Sequence, residues 1–347
     1  MPIKVLIIDD SPVVRSVLSR ELAKDPEIVV VGTAQDPLIA SEKIEALQPD
    51  VLTLDIELPR MDGLTFLRGL MRHHPLPVIV ISAFTPKGSK TAMDALEIGA
   101  VEILQKPGVA FGLGEMAAEL IGKIKAAASA KLGPARPEGA AAPAHPAVRL
   151  ARPVAPPAGG AARLIAIGAS TGGTQAIQAV LTRLPENIPP IVIVQHMPPG
   201  FTLTFSERLN SLCAFAVKEA AHGDAVQPGR ALVAPGGKHM SLLRQGTRYI
   251  VEITDGPKVS RQKPSVEVLF QSVATYAGGS AIGVMLTGMG GDGAEGMLAM
   301  RKAGARTIAQ DEASCVVFGM PKEAIDKGGV EQVVPLGRIA EAILKLL

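Results

Sequence analysis

One long segment, poor in large apolar side chains, divides this chain into two parts. Residues 133–162 consist mainly of alanine, proline and glycine, without apolar residues at helical or strand spacing. Such proline-rich segments favour semi-rigid spacers over packed cores. Because the chain has 347 residues and domains usually have about 100 to 200, we expect two domains. The predicted bounds are 1–125 for the first domain, 126–162 for the linker and 163–347 for the second domain.

Charge and cysteine content narrow the class of protein. The 35 basic and 33 acidic residues nearly balance, which gives no reason to expect nucleic acid or an anionic membrane surface as a partner. Cys213 and Cys315 are too few for a disulfide framework and lack metal-ligand spacing, as is typical of a reducing compartment. The N-terminus passes directly into a predicted strand, without a charged leader. We therefore expect a cytoplasmic protein without membrane insertion.

Apolar runs alternate with helix-like segments in both parts of the chain. In the first part, the runs begin at Val5, Ile28, Val51, Val78 and Val101. Strands that are apolar on both faces and separated by helices are typical of a parallel sheet covered on both sides. The first part is therefore predicted to be a small doubly wound α/β domain.

The second part repeats this alternation. Its apolar runs span Leu164–Ile167, Ile191–Val194, Ala231–Ala234 and Ala281–Leu286. They predict a second doubly wound α/β domain, of Rossmann-like type. A hairpin around Met240–Ile253 adds alternating residues, so we expect this sheet to be mixed at one edge.

Polar and charged side chains follow the predicted strands of the first domain. Asp9 and Asp10 follow the first strand, Asp55 the third, Ser82 the fourth and Lys106 the fifth. Taken singly, they could be a helix cap, a turn residue or a solvated charge. Taken together, they meet where parallel strands hold ligands, and clustered carboxylates favour a hard cation such as Mg²⁺. The pattern predicts a magnesium site at which Asp55 accepts a phosphoryl group.

These residues lie in a sequence that resembles response-regulator receiver domains. The shared motifs are Ile7–Ser11, Leu54–Gly63, Ser82-Ala83 and Lys106-Pro107. The resemblance covers residues 3 to about 125 and implies a flavodoxin-like fold.

The receiver resemblance also implies functional roles. It implies phosphorylation of Asp55 by a chemotaxis histidine kinase, with Ser82 and Lys106 as switch residues. It further implies Mg²⁺ bound by a set of oxygens from Asp9, Asp10, Asp55 and the backbone carbonyl of Glu57. Ile103 stands where receivers usually carry a switching aromatic residue, so an aromatic switch is not expected.

A glycine-rich turn follows the first predicted strand of the second domain. Within Gly168–Gly173, Ser170 occupies a G-x-S-x-G frame. Such a turn lifts a nucleophilic serine clear of a sheet, but it is equally typical of a loop that cradles phosphate. A serine nucleophile further requires a base and a group that orients the base.

Two histidines are candidates for the base. His196 follows the strand Ile191–Val194 and therefore lies at a strand end, as Ser170 does. His239 lies in a glycine-rich loop that could equally be a substrate-binding turn. A histidine bonded within a loop is the alternative for either residue.

A second glycine-rich segment supplies the acid. Asp292 follows the strand that ends at Leu286, and a backbone N–H near Met289 could bind an oxyanion. Alternatively, Asp292 could cap the helix predicted to start near Ala294.

The order serine, histidine, acid differs from that of α/β-hydrolases, in which the acid precedes the histidine. The sequence instead resembles the chemotaxis protein-glutamate methylesterases over about residues 163–345. The motifs that carry the resemblance are Gly168–Gly173, Gln195–Met197, Ala234–Met240, Pro264–Val266, Thr287–Gly293 and Cys315–Pro321. Gln262 and Gly291 depart from residues common in that family.

This resemblance implies that Ser170 is the nucleophile, His196 the base and Asp292 its partner. The Met289 amide is implied as oxyanion donor, and Thr171 as a contact of the base. The implied substrates are glutamate methyl esters, and also glutamines, on methyl-accepting chemotaxis receptors, without a cofactor for hydrolysis. The receiver is expected to cover the esterase site until it is phosphorylated. The alternative is a phosphorylation-controlled binding module without catalysis.

Overall fold

The computed structural model describes residues 1–58, 62–83, 85–106, 113–131 and 164–347. The chain divides into two compact units, Met1–Ala140 and Ala141–Leu347. Residues 132–162 of the predicted linker lie outside the described residues, as do Pro59–Met61 and Pro107 of the receiver motifs. No helix within the described ranges combines the length and the apolar composition needed to cross a bilayer.

The described strands of the first unit form one parallel sheet. The elements in chain order are β1 (Ile3–Ile8), α1 (Pro12–Leu22), β2 (Ile28–Ala34), α2 (Pro37–Leu47), β3 (Val51–Asp55), α3 (Gly63–His73), β4 (Val78–Ala83), α4 (Pro86–Ile98), β5 (Glu102–Lys106) and α5 (Leu113–Ala128). The strand order is β2-β1-β3-β4-β5, which is the flavodoxin-like order. The predicted fold of the first domain is confirmed.

The start of α1 and the centre of the sheet show how the sequence positions the acidic residues. Ser11 accepts a hydrogen bond from the N–H of Val14, and Pro12 suits the first helical turn, so α1 begins directly after Asp9 and Asp10. Strand β1 pairs with β3, with Ile8 opposite Leu54. The residues that follow this pair are Asp9 and Asp55, which therefore lie side by side.

The second unit contains a larger parallel sheet. The remaining elements are β6 (Leu164–Ala169), α6 (Gly173–Leu181), β7 (Ile191–Gln195), α7 (Phe201–Leu212), β8 (Ala216–Glu219), β9 (Ala225–Val226), β10 (Arg230–Val233), β11 (His239–Gln245), β12 (Arg248–Thr254), α8 (Val266–Tyr276), β13 (Ala281–Met285), α9 (Ala294–Lys302), β14 (Arg306–Gln310), α10 (Met320–Asp326), β15 (Gln332–Val334) and α11 (Leu336–Leu346). The seven-stranded sheet has the order β15-β14-β13-β6-β7-β10-β8. The doubly wound α/β prediction is confirmed.

The predicted mixed edge of this sheet is wrong. The hairpin of β11 and β12 exists, but it pairs with β9 in a separate three-stranded antiparallel sheet. Its apolar face, which includes Met240, Leu242 and Val251, joins the same buried cluster as Phe270 of α8. Alternating residues predict a hairpin with one buried face, but that face can be covered by a helix as well as by the edge of a sheet.

Candidate catalytic and phosphorylation sites

The register of adjacent strands brings Ser170 and His196 together. Ala169 at the end of β6 pairs with Gln195 at the end of β7, so the residues that follow, Ser170 and His196, are neighbours. On the other side of β6, the N–H of Ser170 donates to the carbonyl of Thr287, at 3.0 Å. Ser170 therefore lies between the ends of β7 and β13.

A buried hydrogen bond joins His196 to Asp292. His196 Nε2 lies 2.8 Å from Asp292 Oδ2, and the two side chains are 5% and 3% exposed. Because an ionised carboxylate can only accept, Nε2 carries a proton and Nδ1 of the neutral ring keeps its lone pair. Nδ1 is buried and makes no hydrogen bond with any described residue. The pair thus holds His196 in the tautomer that can take up a proton at Nδ1.

The structure does not bring the Ser170 hydroxyl into a hydrogen bond with His196. Ser170 is 8% exposed, and Nδ1 of His196 is without a partner across the described ranges. The hydrogen bond between a nucleophile and its base is often long before substrate binds, and it tightens in the complex. The strand register keeps the two residues adjacent.

Asp292 binds the N-terminus of α8, and the alternative that it caps α9 is wrong. Its carboxylate accepts from the N–H of Val266 at 2.6 Å and from the hydroxyl of Ser265 at 2.7 Å. Ser265 occupies the N-cap position of α8 but makes no side-chain bond to its own helix. The residue at the start of α9 is Gly293, which has no side chain to act as a cap. Asp292 therefore supplies to α8 the acceptor that an N-cap side chain usually provides.

These donors keep Asp292 ionised. Burial is the largest influence and raises the pKa of Asp292, but the hydrogen bond and charge of His196, with the bonds from Ser265 and Val266, outweigh it. The pKa of Asp292 consequently lies below its ordinary value of 3.8. An ionised carboxylate at this position stabilises a positive charge on His196.

A close backbone approach places Gly288, the residue before Met289, beside Ser170. A Cβ atom on Gly288 would lie 2.7 Å from Cβ of Ser170 and 2.4 Å from Sδ of Met320, so only glycine allows this loop to come so near. The carbonyl of Gly288 accepts from the N–H of Met320 at 2.8 Å, which fixes the loop. The Met289 side chain is 39% exposed, and the backbone N–H of Met289 comes directly after Gly288 in the chain.

Two buried polar side chains hold the turn, and sequence reasoning gave them no role. Gln195 Nε2 donates to the carbonyls of Ser170, at 2.9 Å, and of His196, at 3.1 Å. The Thr287 hydroxyl donates to the carbonyl of Thr171, at 3.0 Å. Thr171 itself is 3% exposed. The signal available in the sequence was a polar residue at the end of an apolar strand, next to a candidate site residue.

His239, the rival base, is bonded elsewhere. Its Nε2 donates to the carbonyl of Pro257, at 2.8 Å, and the residue is 3% exposed. The bond closes the end of the hairpin, because His239 begins β11 and Pro257 follows β12. Within the described part of the chain, the hydrogen bond to Asp292 is made by His196 and not by His239.

In the first unit, Lys106 joins two buried carboxylates. Its Nζ lies 3.0 Å from Asp9 Oδ2 and 2.8 Å from Asp55 Oδ2. The side chains of Asp9 and Asp55 are 1% and 3% exposed, whereas Asp10 is exposed. One oxygen from each of Asp9, Asp10 and Asp55 lies within 4.8 Å of the others. The three carboxylates are close enough to converge on one small cation.

The electrostatics of this cluster fit a cation. Burial, as the largest influence, together with the charge of Asp55 raises the pKa of Asp9 above its ordinary value of 3.8, although Lys106 opposes the shift. Burial also lowers the pKa of Lys106, but its bonds to Asp55 and Asp9 outweigh burial and raise that pKa. A divalent cation among these oxygens would favour their ionised forms, so the donor set suits Mg²⁺.

The remaining predicted receiver residues lie around this cluster. The Ser82 hydroxyl is fully buried and donates to the carbonyl of Gly88 at 3.1 Å, and no hydrogen bond to Asp55 is seen within the described ranges. The N–H of Glu57 donates to Asp55 Oδ1 at 3.0 Å, while its side chain is exposed. Ile103 is a buried residue of β5.

Comparison with known proteins assigns both units. Residues 165–343 match the CheB methylesterase family, and residues 5–116 match the response regulator receiver domain. A protein-glutamate methylesterase/protein-glutamine glutaminase of Syntrophus aciditrophicus is 53% identical over 99% of each chain. Another, from Anaeromyxobacter dehalogenans, is 54% identical over 99% of this chain and 95% of the relative.

A solved structure supports the same assignment. The CheB methylesterase catalytic domain of Thermotoga maritima is 39% identical, with a TM-score of 0.52, over 53% of this chain and 98% of that chain. This coverage is about the length of the second unit, in which Ser170, His196 and Asp292 meet. The chain therefore belongs to the CheB methylesterase family and carries a response regulator receiver domain ahead of its methylesterase domain.

Proposed function

We propose that this protein is a phosphorylation-activated protein-glutamate methylesterase that acts in chemotaxis. Its substrates are methyl-accepting chemotaxis receptors, on which it hydrolyses glutamate 5-methyl esters to glutamate and methanol. The observation that carries this proposal is the buried bond between His196 and Asp292 beside the glycine turn of Ser170. The names of the relatives support both this activity and a glutaminase activity.

The first half of the reaction acylates the serine. Ser170 Oγ attacks the ester carbonyl carbon while Nδ1 of His196 takes the hydroxyl proton. Negative charge develops on the carbonyl oxygen, to which the Met289 N–H donates. The bond from carbon to the methoxy oxygen then breaks, and His196 returns its proton to that oxygen. Methanol leaves, and the glutamyl side chain remains esterified to Ser170.

The second half releases glutamate. Water attacks the acyl carbon while Nδ1 of His196 takes one of its protons, and the bond to Ser170 Oγ breaks as that proton returns to the serine. Asp292 stabilises the positive ring in both halves, and Thr171 supports the turn that holds the nucleophile. Glutamine follows the same course, with ammonia as the leaving group in place of methanol.

The receiver is proposed to control this activity. A chemotaxis histidine kinase donates a phosphoryl group to Asp55, and Lys106 balances part of the added charge. Mg²⁺, held by Asp9, Asp10, Asp55 and the Glu57 carbonyl, would neutralise phosphoryl oxygens during transfer. The Ser82 hydroxyl, which donates to Gly88, is proposed to turn towards the phosphorylated aspartate.

We propose the domain bounds 1–125, 126–162 and 163–347, which the family matches to residues 5–116 and 165–343 support, although α5 continues to Ala128. We place the protein in the cytoplasm, with neither nucleic acid nor membrane insertion in its function. The balanced charge supports the absence of a nucleic-acid partner.

A purely binding role for the second domain is not favoured. A phosphate-cradling loop has no need of a buried histidine that is oriented by an ionised aspartate. His196 and Asp292 have that arrangement, and the relatives bear the names of enzymes.

Methanol release from methylated receptor membranes tests the chemistry. Ser170→Ala should abolish release, because Ser170 is the residue that the strand register places beside His196. Ser211→Ala, at an exposed position of helix α7, is the matched control and should retain the wild-type rate. Normal turnover by Ser170→Ala would contradict the proposal.

A second comparison tests the control by the receiver. A small-molecule phosphoryl donor with Mg²⁺ should raise the wild-type rate and leave the rate of Asp55→Asn unchanged. Equal stimulation of both proteins would show that Asp55 is not the control point.

A further inference from the structure

The connection between β12 and α8 contains a turn with an unfavourable backbone. Val259 and Gln262 exchange two backbone hydrogen bonds, at 3.1 and 2.8 Å. The two residues between them have positive φ angles, 51° at Ser260 and 65° at Arg261. Positive φ at both central positions defines a type I′ turn, for which asparagine and glycine are strongly preferred. A serine and an arginine hold this conformation here although both carry a Cβ atom.

This turn is attached to the catalytic machinery. Arg261 lies four residues before Ser265, whose hydroxyl donates to Asp292 at 2.7 Å. Between them, the carbonyl of Lys263 accepts from the N–H of Gly237 at 3.2 Å. These bonds fix the turn at the same end of the sheet as the triad.

The loop that contains Gly236 and Gly237 connects this turn to the segment after His196. A Cβ atom on Gly236 would lie 2.4 Å from the carbonyl oxygen of Pro198, which is two residues beyond His196. The loop that contains Gly236 and Gly237 thus lies between the turn and the segment that follows the base.

Positive charge dominates this edge of the site. We call Lys238, Lys258, Arg261 and Lys263 the basic rim. The side chains of Lys238, Lys258 and Arg261 are exposed, and among the described residues none of the three side chains makes a hydrogen bond or an ion pair. Lys263 pairs with Asp255 at 2.8 Å. Within the described ranges, one of the four cationic side chains of the basic rim therefore makes an ion pair, in a chain whose total net charge is only +2.

We propose that the basic rim docks an acidic segment of the protein substrate, with Arg261 binding a carboxylate next to the ester. This inference rests on the proposed function and adds a substrate class to it. Each turnover leaves a glutamate, so a segment with several modified positions carries free carboxylates beside the remaining esters. The guanidinium suits such a group because it offers a planar fork of donors.

The unfavourable backbone supports a binding role for Arg261. Strained backbone residues that persist in a fold cluster at ligand-binding edges. A purely structural turn would be easier to form with glycine at position 261, where φ is 65°. Position 261 therefore carries an arginine side chain although its backbone conformation favours glycine.

Because the backbone at position 261 favours glycine, a glycine substitution can separate an effect on binding from an effect on folding. Arg261→Gly removes the guanidinium and relieves the backbone, so its melting temperature should equal or exceed that of the wild type. Arg248→Ala is the matched control, because it removes one exposed arginine from the far end of the same hairpin.

The test uses the full chain and two synthetic helical peptides, with phosphoryl donor and Mg²⁺ present throughout. Each peptide carries one glutamate methyl ester, flanked by glutamates in one and by alanines in the other. We expect wild type and Arg248→Ala to show a roughly three- to tenfold higher kcat/KM for the acidic peptide, through a lower KM. Arg261→Gly should lose most of this preference, and added salt should reduce it in the wild type.

Equal kcat/KM values of the wild type for the two peptides would overturn the inference, as would an unchanged preference in Arg261→Gly. Either result would leave the proposed esterase activity intact. Hydrolysis of neither peptide by the wild type, with methylated receptor membranes also left intact, would overturn the proposed function and this inference with it.

Discussion

Asp9 and Asp292 are both buried carboxylates in loops that follow parallel strands, yet their surroundings shift their pKa values in opposite directions. Burial is the largest influence on each and raises both. Around Asp9, the charge of Asp55 adds to this effect, and Lys106 does not fully offset it. Around Asp292, hydrogen-bond donors and the charge of His196 outweigh it. The set of neighbouring donors and acids, and not burial alone, decides the ionisation of each aspartate.

The difference matches two kinds of chemistry. A cluster of carboxylates with too few donors is suited to a cation, as the set around Asp55 is. A single carboxylate with several donors is already stabilised in its charged form, so it can orient and stabilise a protonating histidine without a metal. Substitutions of Asp292, of its donor Ser265 and of Asp9 test this difference.

The largest effect is expected at Asp292. In Asp292→Asn, the amide can donate to His196 Nε2, which would move the ring proton to Nδ1 and remove the lone pair that is proposed to accept the Ser170 proton. We expect kcat for methanol release to fall about 10⁴-fold. Circular dichroism should show that the variant is folded. A fall of less than about tenfold would mean that Asp292 does not set the tautomer of the base.

A smaller effect is expected at Ser265. Ser265→Ala removes one donor from Asp292, at 2.7 Å, and should lower kcat about tenfold with little change in KM. The pKa of Asp292 is lowered in the fold, so its contribution to stability is present above 3.8 and is lost as pH falls through the folded value. The variant should therefore lose stability at a higher pH in an acid titration. If kcat and the dependence of stability on acidic pH were both unchanged, Ser265 would not support Asp292.

The smallest effect is expected at Asp9, where the substitution should stabilise the protein at neutral pH. Because the pKa of Asp9 is raised, its ionised form opposes folding at neutral pH, and this penalty disappears below 3.8. Asp9→Asn should raise the melting temperature of the receiver by about 2 to 4 °C at neutral pH, and the gain should vanish in acid. Mg²⁺ should stabilise the wild type but not this variant. A lower melting temperature for Asp9→Asn at neutral pH would contradict the comparison.

Sequence reasoning was effective where a local rule was sufficient. Apolar runs located the strands, and the rule that ligands collect at strand ends selected Ser170, His196 and Asp55 without a structure. It was less effective for contacts between distant segments. The bond from Val266 to Asp292 spans 26 residues, and nothing local to either residue indicates that Asp292 serves α8 instead of α9. The prediction that the hairpin forms a mixed edge of the large sheet was wrong for the same reason. The alternating residues indicate a buried face but not which element covers it.

The most direct test of the catalytic account is the tautomer of His196. A long-range proton–nitrogen correlation spectrum of the full chain with ¹⁵N-labelled histidine, assigned with a His196→Gln variant, reports which ring nitrogen carries the proton at neutral pH. We expect a protonated Nε2, bonded to Asp292, and an unprotonated Nδ1 that can accept the proton of Ser170. A proton on Nδ1 of the neutral ring would contradict it, because the base would then have no lone pair on the side of the nucleophile.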